Sequence, residues 1–335
     1  MKKIIPIFIP HFGCPHQCIF CDQRNISGHE YPIKGSDLKN EILKWRSYSK
    51  GVDDFELAFY GGSFTSLPKE IRLEFLKKGK ECIKEGLISS MRCSTRPDSI
   101  SKDILLECRS YGLSTIELGV QSMDSSVLSN AKRGHTPDDV IQSVRLIQDL
   151  GFTLGLQQML GLPGSEESKE LFTTDSIISL SPDFVRIYPT IILEHTELYQ
   201  MYLDKVYRPL SLEEAVDLCG KCYKKYIKAK IPVIRMGLQA SESLEQAEIL
   251  IGPYHPSFGQ MVKSKILIEN YLLSLKDIPK GREYNIFYPK KDLQNLIGQK
   301  GYGKKKIENF LNGKVKFFPI EEDLPYIKIK KTKEN

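Results

Sequence analysis

The fold of this chain of 335 residues is set by a pattern that first shows clearly at residues 55–62, FELAFYGG. The six residues before the glycine pair are mostly apolar and predict a buried strand, and the glycines predict a tight turn. A helix-like segment then runs from about Lys69 to Glu85. Strand, turn and helix in this order form the repeating unit of a parallel sheet with helices outside it.

The same unit recurs on both sides of this segment. Ile4 to Ile9 predicts a first buried strand, and a helical stretch follows from about Asp37 to Ser47. The later strands are predicted at 91–95, 115–120, 152–159 and 184–189, and the helices at 102–111, 137–150 and 166–180. Six strands therefore alternate with helices, and periodicity alone fits either a partial barrel or a doubly wound sheet.

Composition predicts a globular protein, with 41% hydrophobic and 27% charged residues. No apolar run approaches the roughly 18 residues of a membrane span, and the start of the chain leads into a strand rather than a signal peptide. We therefore expect a cytoplasmic protein with no membrane partner. The eight cysteines then predict reduced thiols and metal ligation rather than disulfides.

The net charge of +6 is concentrated near the end of the chain. Residues 280–335 contain 14 Lys and Arg against 7 Asp and Glu, whereas the rest of the chain contains 34 against 35. A basic segment of this kind attracts nucleic acid electrostatically, although such charge runs also occur on ordinary solvated faces.

Three cysteines stand in a C-x3-C-x2-C pattern within residues 10–21, PHFGCPHQCIFC. Thiolates favour iron-sulfur clusters, zinc or copper(I), and three of them can hold three irons of a 4Fe-4S cluster. The fourth iron would then be open to a substrate or cofactor. Zinc is the alternative, and His11 or His16 would have to complete its four ligands.

This segment, with the aromatic Phe20 before the last cysteine, resembles the cluster loop of the radical S-adenosylmethionine (radical SAM) enzymes. The resemblance implies that Cys14, Cys18 and Cys21 hold a 4Fe-4S cluster whose open iron binds S-adenosylmethionine. Reductive cleavage would give methionine and a 5'-deoxyadenosyl radical, with electrons from a donor such as flavodoxin or ferredoxin. The implied fold is α/β, a partial (β/α)6 TIM-like barrel with a small α+β C-terminal extension.

Two further motifs resemble the cofactor-binding loops of this family. Residues 61–65, GGSFT, match its glycine motif, which implies that Gly61, Gly62 and Ser63 lie at the methionine amino group. Residues 93–98, CSTRPD, resemble a segment of the Elongator catalytic subunit that approaches the ribose and methionyl parts. Ser94 and Thr95 are its candidate hydrogen-bonding residues. The Arg and Asp of this motif could instead form a structural ion pair.

Another pair of motifs, 117–122 (ELGVQS) and 133–136 (RGHT), resembles both the Elongator subunit and oxygen-independent coproporphyrinogen oxidase. The resemblance implies that Gln121 lies near the cofactor and that Arg133 binds its carboxylate, for which a planar guanidinium is suited. Residues 159–164, MLGLPG, resemble the turn on the adenine side. The main-chain groups of Leu160 and Gly161 would bind there.

Segments 185–190 (VRIYPT) and 196–199 (TELY) resemble the Elongator-like group most closely. That enzyme modifies the wobble uridine of tRNA and carries an acetyltransferase domain. Only about 95 residues follow Ala240, fewer than the ~150 of such a domain, so acetyl-CoA chemistry is not expected. We predict a core at 1–240 and a basic C-terminal region at 241–335.

The C-terminal region contains LIGQKG at 296–301, followed by KKKI at 304–307. This resembles the Ile-Gly-x-x-Gly signature of KH domains, whose loop clamps a nucleic-acid backbone, and it implies a KH-like segment around 285–320. A glycine turn before a basic amphipathic helix is the alternative. The candidate contacts for substrate or RNA are Tyr188, Arg235, His255, Gly298, Lys300, Gly301, Lys304 and Lys305.

The sequence thus predicts a radical SAM enzyme that acts on RNA, with tRNA as the expected substrate. One alternative keeps the enzyme class but replaces RNA with a small metabolite or tetrapyrrole. An alternative of another class is a non-enzymatic, metal-containing RNA-binding protein. No catalytic residue is assigned beyond the cluster ligands.

Overall fold

The chain forms an open half-barrel of seven parallel strands. The structure is a computed structural model that describes residues 2–9, 14–22, 34–49, 51–238, 250–321 and 325–329. Neighbouring strands follow the order β1-β2-β3-β4-β5-β6-β8, and each neighbouring pair is parallel. The strands are β1 (Lys3–Phe8), β2 (Phe55–Tyr60), β3 (Ser90–Thr95), β4 (Leu113–Gln121), β5 (Thr153–Leu160), β6 (Phe184–Pro189) and β8 (Val233–Met236).

Helices connect these strands and pack on one side of the sheet. They are α1 (Leu38–Ser47), α2 (Lys69–Lys84), α3 (Lys102–Ser110), α4 (Ser125–Asn130), α5 (Pro137–Asp149), α6 (Glu167–Ser179), α7 (Glu197–Leu203) and α8 (Leu212–Lys228). The predicted α/β partial barrel is confirmed. The sequence missed two short helices, α4 and α7, because six or seven residues are too few to show a helical period, and it predicted α8 only as a helical stretch around Cys219 and Cys222.

The sheet has one strand more than the six predicted. Strand β8 is only four residues long and pairs with β6 at the open edge. Only its last residue, Met236, is buried, whereas inner strands such as β2 and β4 are almost wholly buried, because an edge strand is covered less completely.

The two faces of the sheet differ sharply. Alternate residues such as Leu118, Leu156 and Ile187 face the helices and belong to one large buried apolar cluster. The residues between them, among them Glu117, point to the concave side, and several of these are charged. Function at this fold is therefore expected on the concave side and at the carboxyl ends of the strands.

The C-terminal part has its own sheet and its own core. Helix α9 (Phe258–Ser274) packs against α8, α10 (Leu293–Ile297) and α11 (Tyr302–Leu311). The sheet runs β11-β10-β12, from β10 (Tyr284–Pro289), β11 (Val315–Ile320) and β12 (Tyr326–Ile329). A two-stranded ribbon joins β7 (Ile192–Leu193) to β9 (Leu250–Ile251). The predicted boundary at Ala240 lies outside the described residues.

The described helices include none that is long and apolar enough to cross a membrane.

Candidate functional site

The three cysteines lie in a loop that begins near the end of β1 and is fastened to neighbouring elements. Cys18 is buried, whereas Cys14 and Cys21 are half-buried. The Ile19 amide donates to the Ala131 carbonyl at 3.3 Å, and the Ile19 carbonyl accepts from the Leu198 amide at 2.9 Å. Phe20 packs into the same small apolar cluster as Leu162, in the turn after β5. These contacts anchor the middle of the loop between α4 and α7.

The electrostatic surroundings show that the three thiols lie near one another. Burial, together with the neighbouring Cys18 and Cys14, raises the pKa of Cys21 to about 12. Burial also raises the pKa of Cys14, which the main-chain N–H of Ser63 partly offsets by hydrogen bonding to its sulfur. No three potential ligands among the described residues surround a single ion position. A 4Fe-4S cluster does not require such a position, because each thiolate binds a different iron.

The glycine turn after β2 lies against the end of β1. Gly61 has a φ of 105°, and a Cβ at this residue would stand 3.1 Å from the Ile9 carbonyl oxygen. Only glycine fits this combination of close approach and positive φ. The next residues therefore reach the cysteine loop, where Ser63 contacts Cys14, and the Ser63 hydroxyl lies 2.9 Å from Thr95 Oγ1.

Two arginines converge on the buried thiol. Arg133 Nη1 donates to Cys18 Sγ at 3.1 Å, and Arg96 Nη1 lies 3.8 Å from the same sulfur. Arg96 also forms a bidentate pair with Asp98, both contacts being 2.9 Å, and the latter carboxylate lies 3.5 Å from His16 Nε2. The structural ion pair considered from the sequence is thus present, and it also positions a guanidinium at the cysteine loop.

Gln121 and Arg133 lie near each other at the end of β4, and each has a polar atom that is not hydrogen-bonded within the described residues. Gln121 has a φ of 66°, a conformation that is strained for a residue with a Cβ. Its Oε1 and the Nε of Arg133 are buried and have no hydrogen-bond partner among the described residues. Arg133 Nη2 donates to the Gly119 carbonyl at 2.7 Å. Buried polar atoms without partners are costly, so the pair is suited to a polar ligand.

The turn after β5 is held by a buried carboxylate. Glu170 Oε1 accepts from the Gly161 amide at 2.7 Å and from the Ser165 hydroxyl at 2.6 Å, while Tyr207 donates to the Gly161 carbonyl at 2.7 Å. Burial raises the pKa of Glu170 to about 7. The Leu160 carbonyl already accepts from Thr190 at 2.8 Å. Ligand binding through these carbonyls, a prediction still, would use their second lone pairs.

An ionised network lines the concave wall below these loops. Glu117 accepts hydrogen bonds from Tyr60 at 2.8 Å, Arg92 at 2.9 Å and Arg186 at 3.1 Å. Arg186 Nε also lies 2.6 Å from Glu117 Oε2 in an ion pair that lacks the alignment of a hydrogen bond. The pKa of Glu117 is lowered because the attraction of Arg186 and Arg92 outweighs the opposing effect of burial. Arg92 donates in turn to Glu56 at 2.7 Å.

Sequence reasoning did not assign this wall, although a signal was available. Central strands of parallel sheets normally read as continuous apolar runs. Here polar residues recur at alternate positions on β3 and β6, as in Arg92 and Ser94 or Arg186 and Tyr188, and also on β4 at Thr115 and Glu117. A period of two within buried strands predicts a polar face. The partners within that face depend on register and are not readable from the sequence.

The remaining candidates lie in different places. Tyr188 lies on the concave wall, 3.5 Å from Arg186 through its hydroxyl, and Arg235 is the in-register neighbour of Arg186 on β8. His255 Nδ1 accepts from the Ser257 amide at 3.0 Å, just before α9. Ser94 Oγ is 3.4 Å from Gln157 Nε2. The other candidates belong to the C-terminal part. Gly298 and Gly301 have positive φ angles and, with Lys300, lie between α10 and α11. Lys304 and Lys305 are exposed on α11.

Comparisons with known proteins agree with this architecture. The sequence profile of the radical SAM superfamily matches residues 8–173, and that of the radical SAM C-terminal domain matches residues 182–267. An uncharacterized protein of Methanocaldococcus jannaschii is 35% identical over 230 residues, covering 64% of this chain and 69% of that protein. The tRNA uridine(34) acetyltransferase of Methanocaldococcus infernus is 32% identical over 302 residues, covering 77% of this chain and 55% of that protein.

Among solved structures, archaeal Elp3 of Methanocaldococcus infernus, with an N-terminal deletion, superposes with a TM-score of 0.64 at 21% identity. The match covers 80% of this chain and 63% of that one, and it shows a shared fold. The chain spans about half the length of the tRNA uridine(34) acetyltransferases that it matches.

Proposed function

The chain belongs to the radical SAM superfamily, and from that premise we propose that it is an enzyme that reductively cleaves S-adenosylmethionine to modify RNA, with tRNA as substrate. The observation that carries the proposal is the convergence at one end of the barrel. The cysteine loop, the Gly-Gly-Ser turn and Arg133 contact one another there although they are distant in sequence.

The residues present fit a 4Fe-4S cluster and S-adenosylmethionine. Cys14, Cys18 and Cys21 supply three soft ligands, as a cluster with one open iron requires. The unpartnered Gln121 Oε1 and Arg133 Nε supply an acceptor and a donor for a zwitterionic ligand. When bound, the cluster would supply the electron that breaks the sulfonium C5'–S bond, which gives methionine and a 5'-deoxyadenosyl radical that takes a hydrogen atom from the substrate.

The chain's own residues would position the cofactor and shield it. Arg133 is charged, buried and within reach of the cysteine loop, so its guanidinium would hold the methionine carboxylate. The main chain at Ser63 would contact the amino group of the methionine part. The Glu117 network would form a rigid polar floor below the radical, because each of its buried charges is already neutralised inside the wall.

Two observations support RNA rather than a small metabolite as substrate. Relatives that match this chain include proteins named tRNA uridine(34) acetyltransferase, and the C-terminal region is strongly basic. The G-x-x-G segment lies between two helices in a β-α-α-β order, β10-α10-α11-β11, in which a KH-like RNA clamp remains our proposal. The proposal covers the radical step alone, because this chain matches about half of those relatives.

An electron donor such as flavodoxin or ferredoxin is required by this chemistry. A reducing cytoplasm is the compartment that we propose, because oxygen destroys exposed iron-sulfur clusters and oxidises their thiolate ligands.

The test uses full-length protein reconstituted without oxygen and reduced with dithionite. Iron content and 5'-deoxyadenosine are measured after S-adenosylmethionine is added, with and without total tRNA. We expect 5'-deoxyadenosine from wild type, a stimulation by tRNA, and loss of both iron and product in Cys18→Ala. Cys82→Ala is the matched control, because this cysteine is buried on α2 and its loss should leave both readouts intact.

Absence of 5'-deoxyadenosine from protein that carries its full iron would overturn the assignment. Product formation that is indifferent to tRNA would reject the RNA substrate and favour a small metabolite or tetrapyrrole. Arg133→Lys refines the site: we expect a KM for S-adenosylmethionine at least about tenfold higher, because a lysine cannot make the bidentate contact.

A further inference from the structure

The three-stranded C-terminal sheet has one covered face and one open face. Tyr284, Ile286 and Val315 point to the helices and form the buried core of this part of the chain. The alternate residues point outward in two rows across the strands. The first row is Lys316, Asn285 and Lys328, and the second contains Phe318 and Phe287.

The second row is an aromatic pair on a solvent-facing surface. The rings of Phe287 and Phe318 stack with centroids 5.3 Å apart and planes 23° from parallel. Lys328 Nζ lies 5.3 Å from the centroid of Phe287. Phe318 is 39% exposed. A stacked aromatic pair whose outer ring remains accessible offers a flat π surface at low conformational cost.

A basic cleft adjoins this face at the edge strand β11. Its volume is about 770 Å³, and three lysines, Lys304, Lys314 and Lys316, line it. Its single acidic residue, Glu308, is already engaged, because it accepts from the Val315 amide at 3.1 Å and lies 3.9 Å from Lys304. Within the described residues, Lys314 and Lys316 form no ion pair.

The cleft and the open face are continuous along β11. Lys316 and Phe318 stand at alternate positions of this strand and therefore share one side, and Lys314 directly precedes the strand. Moving along the strand, the surface changes from cations in the cleft to the aromatic pair on the sheet. A ligand that follows the strand would thus meet positive charge first and a stacking surface next.

We infer that this face binds single-stranded RNA, with phosphates along Lys314 and Lys316 and a base stacked on Phe318. Non-specific single-strand binding combines a positive groove for the backbone with aromatic rings for the bases. Duplex RNA would not use this surface, because its bases are stacked on each other and its phosphates are read by shape. A peptide added to the edge of β11 is disfavoured, because lysines on an edge strand oppose strand pairing.

The G-x-x-G turn at residues 298–301 precedes α11 in the chain, whereas Lys314, Lys316 and Phe318 follow it, so the residues tested here are not those of the turn. This surface shares with the proposed function only the class of its ligand. RNA binding here does not require the cluster or the cofactor. The two proposals can therefore fail independently.

The experiment measures fluorescence anisotropy of full-length protein with a labelled oligouridine of about 12 nucleotides, within the roughly 4–16 nucleotide range of such sites. Phe318→Ala should raise Kd at least about 5-fold, because each base stacked on an aromatic ring contributes at least that factor. In Lys314→Gln/Lys316→Gln, the slope of log K against log salt should become shallower by about 1.4, since each phosphate contact to a single strand accounts for about 0.7.

The matched control is Lys44→Gln/Lys77→Gln, which removes the same charge from exposed positions on α1 and α2. It should leave the salt slope within error of wild type, and all variants should keep the wild-type melting temperature within a few degrees. Equal affinity in Phe318→Ala and wild type, equal slopes in the two lysine pairs, or binding of a duplex of the same length as tight as the single strand would each overturn the inference. Formation of 5'-deoxyadenosine without RNA should be unchanged in Phe318→Ala, which separates this site from the proposed catalysis.

Discussion

Charged residues occur at alternate strand positions in both sheets of this protein, but they are buried in the barrel and exposed on the C-terminal sheet. On the concave wall of the barrel, Glu117 is fully buried and bonded to Arg92 and Arg186. On the C-terminal sheet, Lys314 and Lys316 are exposed and lack ion pairs within the described residues. A buried charge must be neutralised inside the chain, whereas an exposed charge is hydrated and stays available to a ligand.

The comparison separates charges that stabilise the fold from charges that stay available to a ligand. The wall of Glu56, Arg92, Glu117 and Arg186 is preorganised and serves as scaffold. The lysines of the C-terminal face contribute little to folding, because exposed charges change stability by small amounts. Variants of the two regions should therefore separate stability from binding.

The largest effect is expected from breaking the wall at its centre. Glu117→Ala would leave Arg92 and Arg186 buried with fewer partners, and we expect it to lower the free energy of unfolding by about 3–5 kcal/mol. Urea denaturation followed by circular dichroism measures this change. Glu117→Gln keeps the shape and some hydrogen bonds, so it should cost less. A loss below about 1 kcal/mol in Glu117→Ala would mean that the wall is not a scaffold.

The next prediction compares the stability effects of two arginines, Arg186 and Arg235, which are paired in register on β6 and β8. Arg186 is buried against Glu117, whereas Arg235, its partner position on β8, is half-buried and has no ion pair among the described residues. We expect Arg186→Gln to cost about 2–4 kcal/mol and Arg235→Gln to change stability by less than about 0.5 kcal/mol. The same urea titrations decide this. Equal losses would remove the distinction between paired and available charges.

A smaller effect concerns a buried carboxylate whose partners are neutral. The pKa of Glu170 is raised by burial from 4.5 to about 7. Because the unfolded chain releases this proton first, stability should fall as pH rises from about 4.5 to 7 and stay reduced above that range. Glu170→Gln should not show this loss, so the variant should gain on the order of 2–3 kcal/mol relative to wild type at pH 8 and nothing at pH 4.5.

Thermal or urea denaturation of both proteins across this pH range provides the measurement. Burial lowers the pKa of His135 to about 4, which makes stability fall as pH drops from 6.5. This contribution is common to both proteins and cancels in the difference. A difference that does not vary with pH would show that folding leaves the pKa of Glu170 unshifted.

The smallest stability effect is expected on the C-terminal face. Lys314→Gln/Lys316→Gln should leave the free energy of unfolding within about 0.5 kcal/mol of wild type, although the same pair is expected to weaken the salt dependence of RNA binding. Urea denaturation beside the anisotropy titration tests both halves of this statement. A large loss of stability would place these lysines with the wall charges rather than with a binding surface.

Much of the barrel was predictable because its signals are local. Helix α2 was predicted at about 69–85 and is observed at Lys69–Lys84, and α5 was predicted at 137–150 and is observed at Pro137–Asp149. The proline and the Thr136 capping box mark the start of α5 in the sequence itself. Strand β8 was harder, since four residues at an edge, of which only the last is buried, carry little periodicity.

Of the site, the ligand types were predictable and their contacts were not. The spacing of Cys14, Cys18 and Cys21 is local and indicates iron-sulfur chemistry without any structure. The placement of Arg96 against Cys18, and the use of the Gly161 amide by Glu170, depend on packing between separate loops. Neither leaves a pattern in the sequence, because each contact joins elements whose relative position is set by the sheet.

The sequence by itself therefore determined most of the strand and helix order, the spacing of the three cysteines and the basic character of the C-terminal region, because periodicity, spacing and composition act over a few residues. Only the tertiary structure decided which charges are paired. Arg133 meets Cys18 across 115 positions, and Arg186 meets Tyr60 across 126. Contacts at such separations depend on strand register and on the curl of the sheet, which place a buried charge beside its partner and leave Lys314 and Lys316 exposed to water.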